Sequence, residues 1–320
     1  VWTGGTTGSV DLTTVWPTGF DEVVALTEHN NFLIIFGKNS IVVYSGASNP
    51  ATMVLADTVP NIGCVARDSV QNTGTDLLFM SNDGLRSFQR TIQEKSMPLT
   101  DVSKNVRNDI IGLLPLQTTG LKAVFSPENA FYLLSFPDSA TTYCFDIRTK
   151  MEDGTYRVTM WPNTTYQSFA RAEDGTLYTG GAAGISTYSG HLDVGVSYLM
   201  RYFTHPLSFG DSTKLKFPKE LHITIIGGQN TVASVNWGYD YTEAYQKQVI
   251  IVGNQSISEF GTAEYSETTS EYSASIVVSR KNVKPNGSGA LLSMGLEVSV
   301  AGVPFSIQEI NIQALLGRMI

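Results

Sequence analysis

Charged residues are scarce in this 320-residue sequence. Asp, Glu, Lys and Arg together make up 16% of the chain, against roughly 25% in typical soluble domains. Two interpretations fit: a β protein whose polar faces carry hydroxyl groups, or a surface that other subunits cover. The formal net charge is −8, and basic residues cluster only at 214–219 and 280–284. Because tight DNA binding needs many cations aimed at phosphates, the composition argues against a lasting grip on DNA.

Cysteine, histidine and long apolar runs are also in short supply. The two cysteines, Cys64 and Cys144, form no CxxC pair, and we interpret them as apolar core thiols, with a disulfide as the alternative. The four histidines show no metal-ligand spacing. No stretch approaches the roughly 18 apolar residues of a membrane span. We therefore predict no metal, no cofactor and no membrane span.

Catalytic motifs are missing or incomplete, so we predict a protein that is not an enzyme and assign no catalytic residue. Ser288 lies in Asn286-Gly-Ser-Gly289, but no helix follows it as a nucleophile elbow requires, and we interpret this segment as a turn. The segment SNDGLRSF at 81–88 resembles the Asp-box of sialidases, but Asp83 and Gly84 adjoin where that motif has a residue between them. Acidic residues are numerous enough for a glycosidase pair. A carbohydrate-binding or glycosidase-type propeller is therefore the alternative function.

The sequence does contain a repeated strand–turn–strand pattern. Apolar runs flank a short polar or Gly-rich turn at 32–44, 76–88, 130–145 and 176–188. Asn, Asp and Gly in these turns tolerate the left-handed backbone that tight hairpins need. A further candidate strand precedes each hairpin, at 23–26, 63–67, 121–125 and 166–172.

The spacing of these repeats is typical of propeller blades. Matching positions are 45, 54 and 46 residues apart, at Phe32, Leu77, Phe131 and Leu177. A single repeat buries too little apolar surface to offset the ordering of its backbone, whereas stacked repeats cover each other. We predict that residues 1–190 form a β-propeller of about four visible blades, incomplete at its N-terminus unless Val10–Val15 supplies the last strand.

One segment between the second and third repeats has helical periodicity. Within Thr100–Leu114, apolar residues recur at three- and four-residue intervals, at Val102, Val106, Ile110 and Leu113. Thr100 or Asp101 can cap the start, and Pro115 stops the helix. We predict one short inserted helix, which either packs on the propeller rim or docks a neighbouring subunit.

The pattern changes after Gly190. Residues 191–320 contain eight short candidate strands, separated in several places by Gly-containing turns, which favours a β-sandwich-like domain. The strands are at 198–203, 214–217, 221–226, 232–237, 248–252, 272–279, 295–300 and 305–315. The acidic run Thr262–Glu271 is predicted to be an exposed loop or ribbon. The predicted fold class is thus all-β: propeller-like repeats, then a sandwich-like domain, with one inserted helix.

Several segments resemble the tail nozzle, or tail tubular protein B, family of short-tailed bacteriophages. The longest is Gly19–Gly46, GFDEVVALTEHNNFLIIFGKNSIVVYSG, which resembles the opening of a blade in that family. Shorter ones are Asn61–Arg67, Phe79–Gly84, Asp101–Lys104 and Ile310–Arg318. These are packing patterns rather than catalytic signatures, and together they extend over most of the chain.

The resemblance implies a structural role in the virion tail, after assembly in the host cytoplasm. In the family, a β-propeller is joined to further β domains, and six copies form a ring around the DNA exit channel at the distal end of the tail. The implied partners are a tail adaptor or tube ring, fibres, spikes or a plug, and DNA in transient, non-specific passage. Acidic walls would contain DNA without binding it. The loop Glu264–Glu271 is a candidate for the channel wall.

Overall fold

The structure is a computed structural model, which describes residues 11–17, 19–49, 52–94, 102–182, 184–228, 231–242, 244–252 and 278–319. Within them the chain is mostly β, with antiparallel sheets and few helices, which confirms the all-β prediction. The chain divides into two compact units, Val1–Tyr188 and Ser189–Ile320. The predicted boundary at residue 190 lies close to this division.

The described residues of the first unit form four antiparallel sheets, each built from strands that follow one another along the chain. The first sheet has β1 (Val23–His29), β2 (Phe32–Gly37), β3 (Ile41–Ser45) and β4 (Val54–Val59). The second has β5 (Gln71–Asn72), β6 (Leu77–Ser81) and β7 (Gly84–Ser87). The third has β8 (Lys122–Ser126), β9 (Phe131–Phe136), β10 (Thr141–Lys150) and β11 (Tyr156–Pro162). The fourth has β12 (Ser168–Arg171), β13 (Leu177–Gly181) and β14 (Gly184–Thr187).

The four predicted hairpins coincide with β2–β3, β6–β7, β9–β10 and β13–β14. The predicted strand at 63–67 is wrong: this segment contains no strand, and a 3-10 turn at Arg67–Ser69 precedes β5. The backbone of residues 63–67 contacts the first sheet instead: Cys64 N donates a hydrogen bond to Gly37 O at 2.8 Å. Gly63 passes so close to the first hairpin that a side chain there would collide with the backbone of Lys38 and Asn39.

The sheets of the first unit stack face to face in chain order. Because successive residues of a strand point to opposite faces, each inner sheet buries alternate residues against two different neighbours. The shared cores are Ile34 and Phe36 with Leu77 and Phe79 (first and second sheets), Leu78 and Met80 with Leu134 and Phe136 (second and third), and Phe131 and Leu133 with Leu177 (third and fourth).

The two ends of this stack differ. The outer face of the first sheet packs at Ile35 and Val42 against Trp16. Val15 N and Trp16 N both donate to Leu12 O, so residues 12–16 form a turn and not the predicted strand, whose first residue, Val10, lies outside the described residues. On the outer face of the fourth sheet, Ile185 is 82% exposed.

The leading segments of successive sheets are neighbours. β1 contacts the turn at Arg67–Ser69, this turn contacts β8, and β8 contacts β12. Two hydrogen bonds hold the turn and β5 to the third sheet: Tyr132 Oη donates to Ser69 O at 2.8 Å, and Gln71 Nε2 donates to Ala123 O at 3.2 Å. The four sheets therefore share an inner side, to which each contributes the segment that enters it.

The described residues contain two α-helices, α1 (Phe88–Glu94) and α2 (Arg107–Leu113), where we predicted one. α1 follows β7 directly, and the Ser87 hydroxyl accepts a hydrogen bond from Arg90 N, as an N-cap does. α2 lies between 3-10 turns at Lys104–Val106 and Leu114–Leu116, so the predicted helix is shorter than 100–114. Both predicted caps lie outside the described residues.

The apolar face of the inserted helical segment is covered by the chain itself. Val102 and Ile110 are fully buried and pack against the second and third sheets, and Val106 and Leu113 are partly buried there. Of the two predicted roles, the described contacts correspond to packing against the chain's own sheets.

The second unit has two sheets in its described residues. One is ordered β15 (Tyr198–Phe203), β20 (Leu292–Val300), β17 (Thr231–Tyr239) and β18 (Gln246–Val252). The other is ordered β19 (Val278–Val283), β16 (Lys214–Gly227) and β21 (Phe305–Met319). Both contribute to one apolar core, which includes Leu221, Ile223, Val235, Trp237, Leu296 and Val298. The strands predicted at 214–217 and 221–226 are a single strand, β16, whose register with β21 shifts between Pro218 and Glu220.

Candidate functional site

The candidate site is the outer face of the sheet β15–β20–β17–β18, because large apolar side chains remain exposed there. On β18, Val249 and Ile251 are 58% and 51% exposed, whereas Ile250 and Val252 between and beside them are in the core. The register places Ile251 opposite Val232, which is 54% exposed, on the same outer face. A strand with apolar residues on both faces is typical of a sheet covered on both sides.

The far edge of the same face is also apolar. Leu199 of β15 is 53% exposed, and Phe203 is opposite Gly295 of β20. The Phe203 ring lies over Gly295, where any side chain would collide with it. The ring also meets Tyr245 edge to face, with 5.2 Å between their centroids. This glycine therefore makes room for a pair of half-exposed aromatic rings on the outer face.

One ion pair crosses the middle of this face. Arg201 Nε lies 2.9 Å from Glu297 Oε1, and the two residues are opposite each other in the register. The Arg201 side chain is 64% exposed, and an exposed pair of this kind adds little stability. Lys247 of β18 is exposed on the same side as Val249 and Ile251 and adds a positive charge to this face.

The outer face of the other sheet of this unit has a different character. His222 Nδ1 lies 2.8 Å from Asn282 Oδ1, and its Nε2 lies 3.1 Å from Glu220 Oε2 without hydrogen-bond geometry. These residues sit opposite Asn311 and its polar neighbours on β21. Around His222 this face is polar, although Val278 on β19 and Leu315 and Leu316 on β21 are also more than half exposed on this sheet.

In the first unit, a charged cluster lies on the side where the leading segments meet. Asp68 Oδ2 accepts from Lys122 Nζ at 2.6 Å, and Asp68 Oδ1 accepts from Arg67 Nε at 3.0 Å. The Lys122 hydrogen bond, opposed by desolvation and aided by Arg67, lowers the pKa of the Asp68 carboxyl. These three residues line an open cavity of about 400 Å³ together with Val65 and Leu121. The cluster is compact and mostly self-neutralised.

Cys64 and Cys144 are both free thiols, so the predicted alternative of a disulfide between them is wrong. Burial raises the pKa of both thiols, that of Cys144 to about 12, which makes them poor nucleophiles. In the described part of the chain, no three His, Cys, Asp or Glu side chains come together as a metal site.

The remaining predictions from the sequence concern the turn at 286–289, the acidic segment and a membrane span. Asn286–Gly289 leads into strand β20 and not into a helix, and Asn286 O accepts from Tyr239 Oη at 2.8 Å. The acidic segment Glu264–Glu271 lies outside the described residues. No helix within the described ranges has both the length and the apolar character needed to cross a bilayer. The apolar outer face was missed, although the unbroken apolar run 249–252 was its signal.

Comparison with known proteins leaves the chain without an assigned family. No family model and no curated protein matches it. Among solved structures it is similar to a Cry1Da tryptic core variant from Bacillus thuringiensis, with 11% identity and a TM-score of 0.22. That alignment covers 92% of this chain and 50% of the other, so the chain spans half the length of that protein. A likeness at this level carries no argument about fold or function.

Proposed function

We propose that this chain is a structural, non-enzymatic subunit of the tail nozzle of a short-tailed bacteriophage. Six copies would form a ring around the DNA exit channel, retain the genome and then guide its ejection. In this proposal, the first unit is a β-propeller and the second is a β-sandwich. The neighbours would be a tail adaptor or tube ring and a fibre, spike or plug protein, in a tail assembled in the host cytoplasm.

The stacking of the first four sheets supports the propeller. Propeller blades are antiparallel sheets that follow one another in sequence, pack face to face and place their first strands around a common axis. The face-to-face cores and the neighbouring leading segments have these two properties. The exposed Ile185 face of the fourth sheet is where a further blade or closing strand would pack.

The observation that carries the proposal is the apolar outer face of the four-stranded sheet in the second unit. Exposed apolar patches of this kind mark protein interaction sites. A patch that meets a different surface on an identical copy makes a heterologous contact, and such contacts close into a ring when the rotation between copies is right. Val232, Val249 and Ile251 would then be covered by the adjacent copy.

The charge balance supports passage of DNA without retention. With a net charge of −8 and basic residues in short clusters, a ring of such chains offers few cations to phosphates. Each phosphate that a protein neutralises adds to its affinity for DNA and to its salt dependence. A wall with few such contacts would contain DNA while leaving it free to move.

Electron microscopy of the purified full chain tests the proposal. We expect rings with an open centre and sixfold rotational symmetry in class averages, and the same chain at the distal end of the tail when particles that carry it are imaged with a specific antibody. A gel-shift titration with duplex DNA should show no stable complex at physiological salt. A chain that stays monomeric at high concentration and is absent from particles would overturn the proposal.

One observation favours the alternative of a carbohydrate-binding propeller. Trp161 and Tyr188 are parallel, with 6.1 Å between ring centroids, and Tyr188 is 41% exposed. Sugars bind to exposed aromatic faces of this kind. Glycan-array binding that is lost in Tyr188→Ala would favour this function, and a silent array would remove it.

A further inference from the structure

A tight hairpin turn near the start of the second unit is well defined. Asp193 and Val196 form an isolated antiparallel bridge, in which the backbone N–H of each residue donates to the carbonyl oxygen of the other at 2.8 Å. Val194 and the glycine after it both have a left-handed backbone (φ 47° and 80°), as in a type I′ turn. Gly302 N donates to His191 O at 3.0 Å and holds the base of the hairpin.

The side chains of this hairpin are unusual for a solvent-exposed turn. Val194 is 81% exposed, and Leu192 and Val196 on either side of it are exposed as well. A left-handed backbone is rare for a β-branched residue, and Asn, Asp or Gly would occupy the position with less strain. Strained positions and clustered exposed apolar side chains both mark surfaces that act outside the chain. We call Leu192–Val196 the hairpin tip.

The apolar outer face of the four-stranded sheet matches the hairpin tip in chemistry. Its exposed aliphatic side chains, Val232, Val249 and Ile251, form a patch on β17 and β18, and Lys247 adds a positive charge on the same side. The hairpin tip has three exposed aliphatic side chains and one negative charge, Asp193. Neither Lys247 nor Asp193 has an ion-pair partner among the described residues. The two surfaces are therefore complementary in charge and alike in apolar character.

The hairpin tip and the patch belong to opposite edges of one sheet. Strand β15 begins two residues after Val196 and forms one edge, whereas β18 forms the other, with β20 and β17 between them. Three strand spacings, about 14 Å, separate the two edge strands. A copy therefore does not cover its own patch with its own tip, whereas a second copy can. Each such contact leaves a free tip on one copy and a free patch on the other, so that further copies can add until a ring closes.

We infer that the hairpin tip of one copy docks on the patch of the next copy, with Asp193 paired to Lys247. This inference rests on the proposed ring and names the two surfaces that meet in it. Burial of the aliphatic side chains stabilises the contact. The ion pair at its margin fixes the orientation of one copy on the other.

Exchange of the two charges tests the contact. Sedimentation velocity over a concentration series gives the concentration at which half of the full-length chains are assembled. Asp193→Lys and Lys247→Asp should each raise this concentration by about tenfold, because each variant places like charges together. The double variant Asp193→Lys, Lys247→Asp should return to the wild-type value, since the ion pair is restored in reverse order.

A substitution at the hairpin tip tests its apolar part. Val194→Asn removes the aliphatic side chain but suits the left-handed backbone, so the hairpin is kept. It should raise the half-assembly concentration by about tenfold or more. Phe209→Asn is the matched control, because Phe209 is an exposed apolar residue of the same unit with φ 50° and a glycine after it. This control should assemble as the wild type does.

Cross-linking shows whether the two surfaces touch. Val194→Cys and Val249→Cys are prepared separately, and the native thiols have raised pKa values that make them slow to react. On mild oxidation, an equal mixture of the two variants should form disulfide-linked dimers, whereas each variant alone should not. Hexamers without the mixed disulfide, together with wild-type assembly of Val194→Asn, would overturn this contact and leave the proposed ring in place. A wild-type chain that is monomeric at every concentration would overturn both.

Discussion

The two units of this chain use the same strand alternation but cover their sheets differently. In the first unit, strands β6 and β9 are buried along their whole length, because a neighbouring sheet lies against each face. In the second unit, β18 alternates between core and solvent even though its sequence is apolar throughout 249–252. An unbroken apolar strand favours two covered faces. In the second unit one face of β18 is exposed within the chain, and the ring proposed above would cover it with an identical copy.

The largest expected difference is between two phenylalanines. Phe79 is fully buried between the first two sheets, 4.9 Å from the Phe36 ring centroid, whereas Phe203 is 39% exposed on the outer face. Phe79→Ala should lower the free energy of unfolding by about 3–5 kcal/mol, and Phe203→Ala by about 1 kcal/mol or less. Urea unfolding measures both. Equal losses would contradict the difference in coverage between the units.

Two glycines, one in each unit, allow the same comparison with a smaller expected change in the free energy of unfolding. A methyl group at Gly63 would meet the backbone of Lys38 and Asn39, whereas one at Gly295 would meet the movable ring of Phe203. Gly63→Ala should therefore cost about 1–3 kcal/mol. Gly295→Ala should cost less, because the half-exposed ring can swing away. The same urea measurements compare them; a larger cost for Gly295→Ala would show that the aromatic pair is rigidly held.

The smallest effects are expected from two surface carboxylates, one in each unit. Hydrogen bonds from the Thr119 and Thr118 backbone and hydroxyl groups lower the pKa of Asp138 to about 2. Bonds from Thr213, with Lys214, lower the pKa of Asp211 to about 2 as well. Since these values lie below the ordinary 3.8, each carboxylate stabilises its unit above pH 4, and that contribution is lost as the pH falls through about 2.

Asn substitutions separate the two contributions. Asp138→Asn and Asp211→Asn should each flatten the decline in stability between pH 4 and pH 2, because the group that protonates is gone. Hydrogen exchange at several pH values, resolved to peptides of each unit, assigns the change. An unchanged acid profile in either variant would mean that its loop hydrogen bonds do not depend on the charge.

Sequence reasoning found the parts of the fold that local chemistry determines. The hairpins β2–β3 and β9–β10 combine apolar strands with short polar turns, so both their positions and their turns were predictable. Strand β4 was missed because its sequence, VLADTV, mixes polar and apolar residues without clear alternation. Strand β11 was missed although Tyr156–Met160 alternates apolar and polar residues. The segment 63–67 was misassigned because its path depends on contact with the first hairpin, which periodicity does not register.

The candidate surfaces were harder to predict for a related reason. A polar cavity of about 310 Å³, lined in part by Asn39, Asn61 and Asn82, arises where turns from the first two sheets meet, and these asparagines are ordinary turn residues in the sequence. The apolar outer face depends on which residues of β15, β17 and β18 share a side, and this needs the sheet order. Only the apolar run 249–252 pointed to this face in the sequence. Recognising it as an exposed surface required the structure, which shows that Val249 and Ile251 remain exposed.

The most direct test of the account is the mass of the assembled protein with and without its apolar outer face. Mass photometry of the wild-type chain should show a particle of six times the 34.8 kDa chain mass. The double variant Val249→Glu, Ile251→Glu should be monomeric, while Thr224→Glu on the other sheet's outer face should assemble as the wild type does. A wild-type monomer at every concentration, or a double variant that still assembles, would contradict the claim that identical neighbours cover this face.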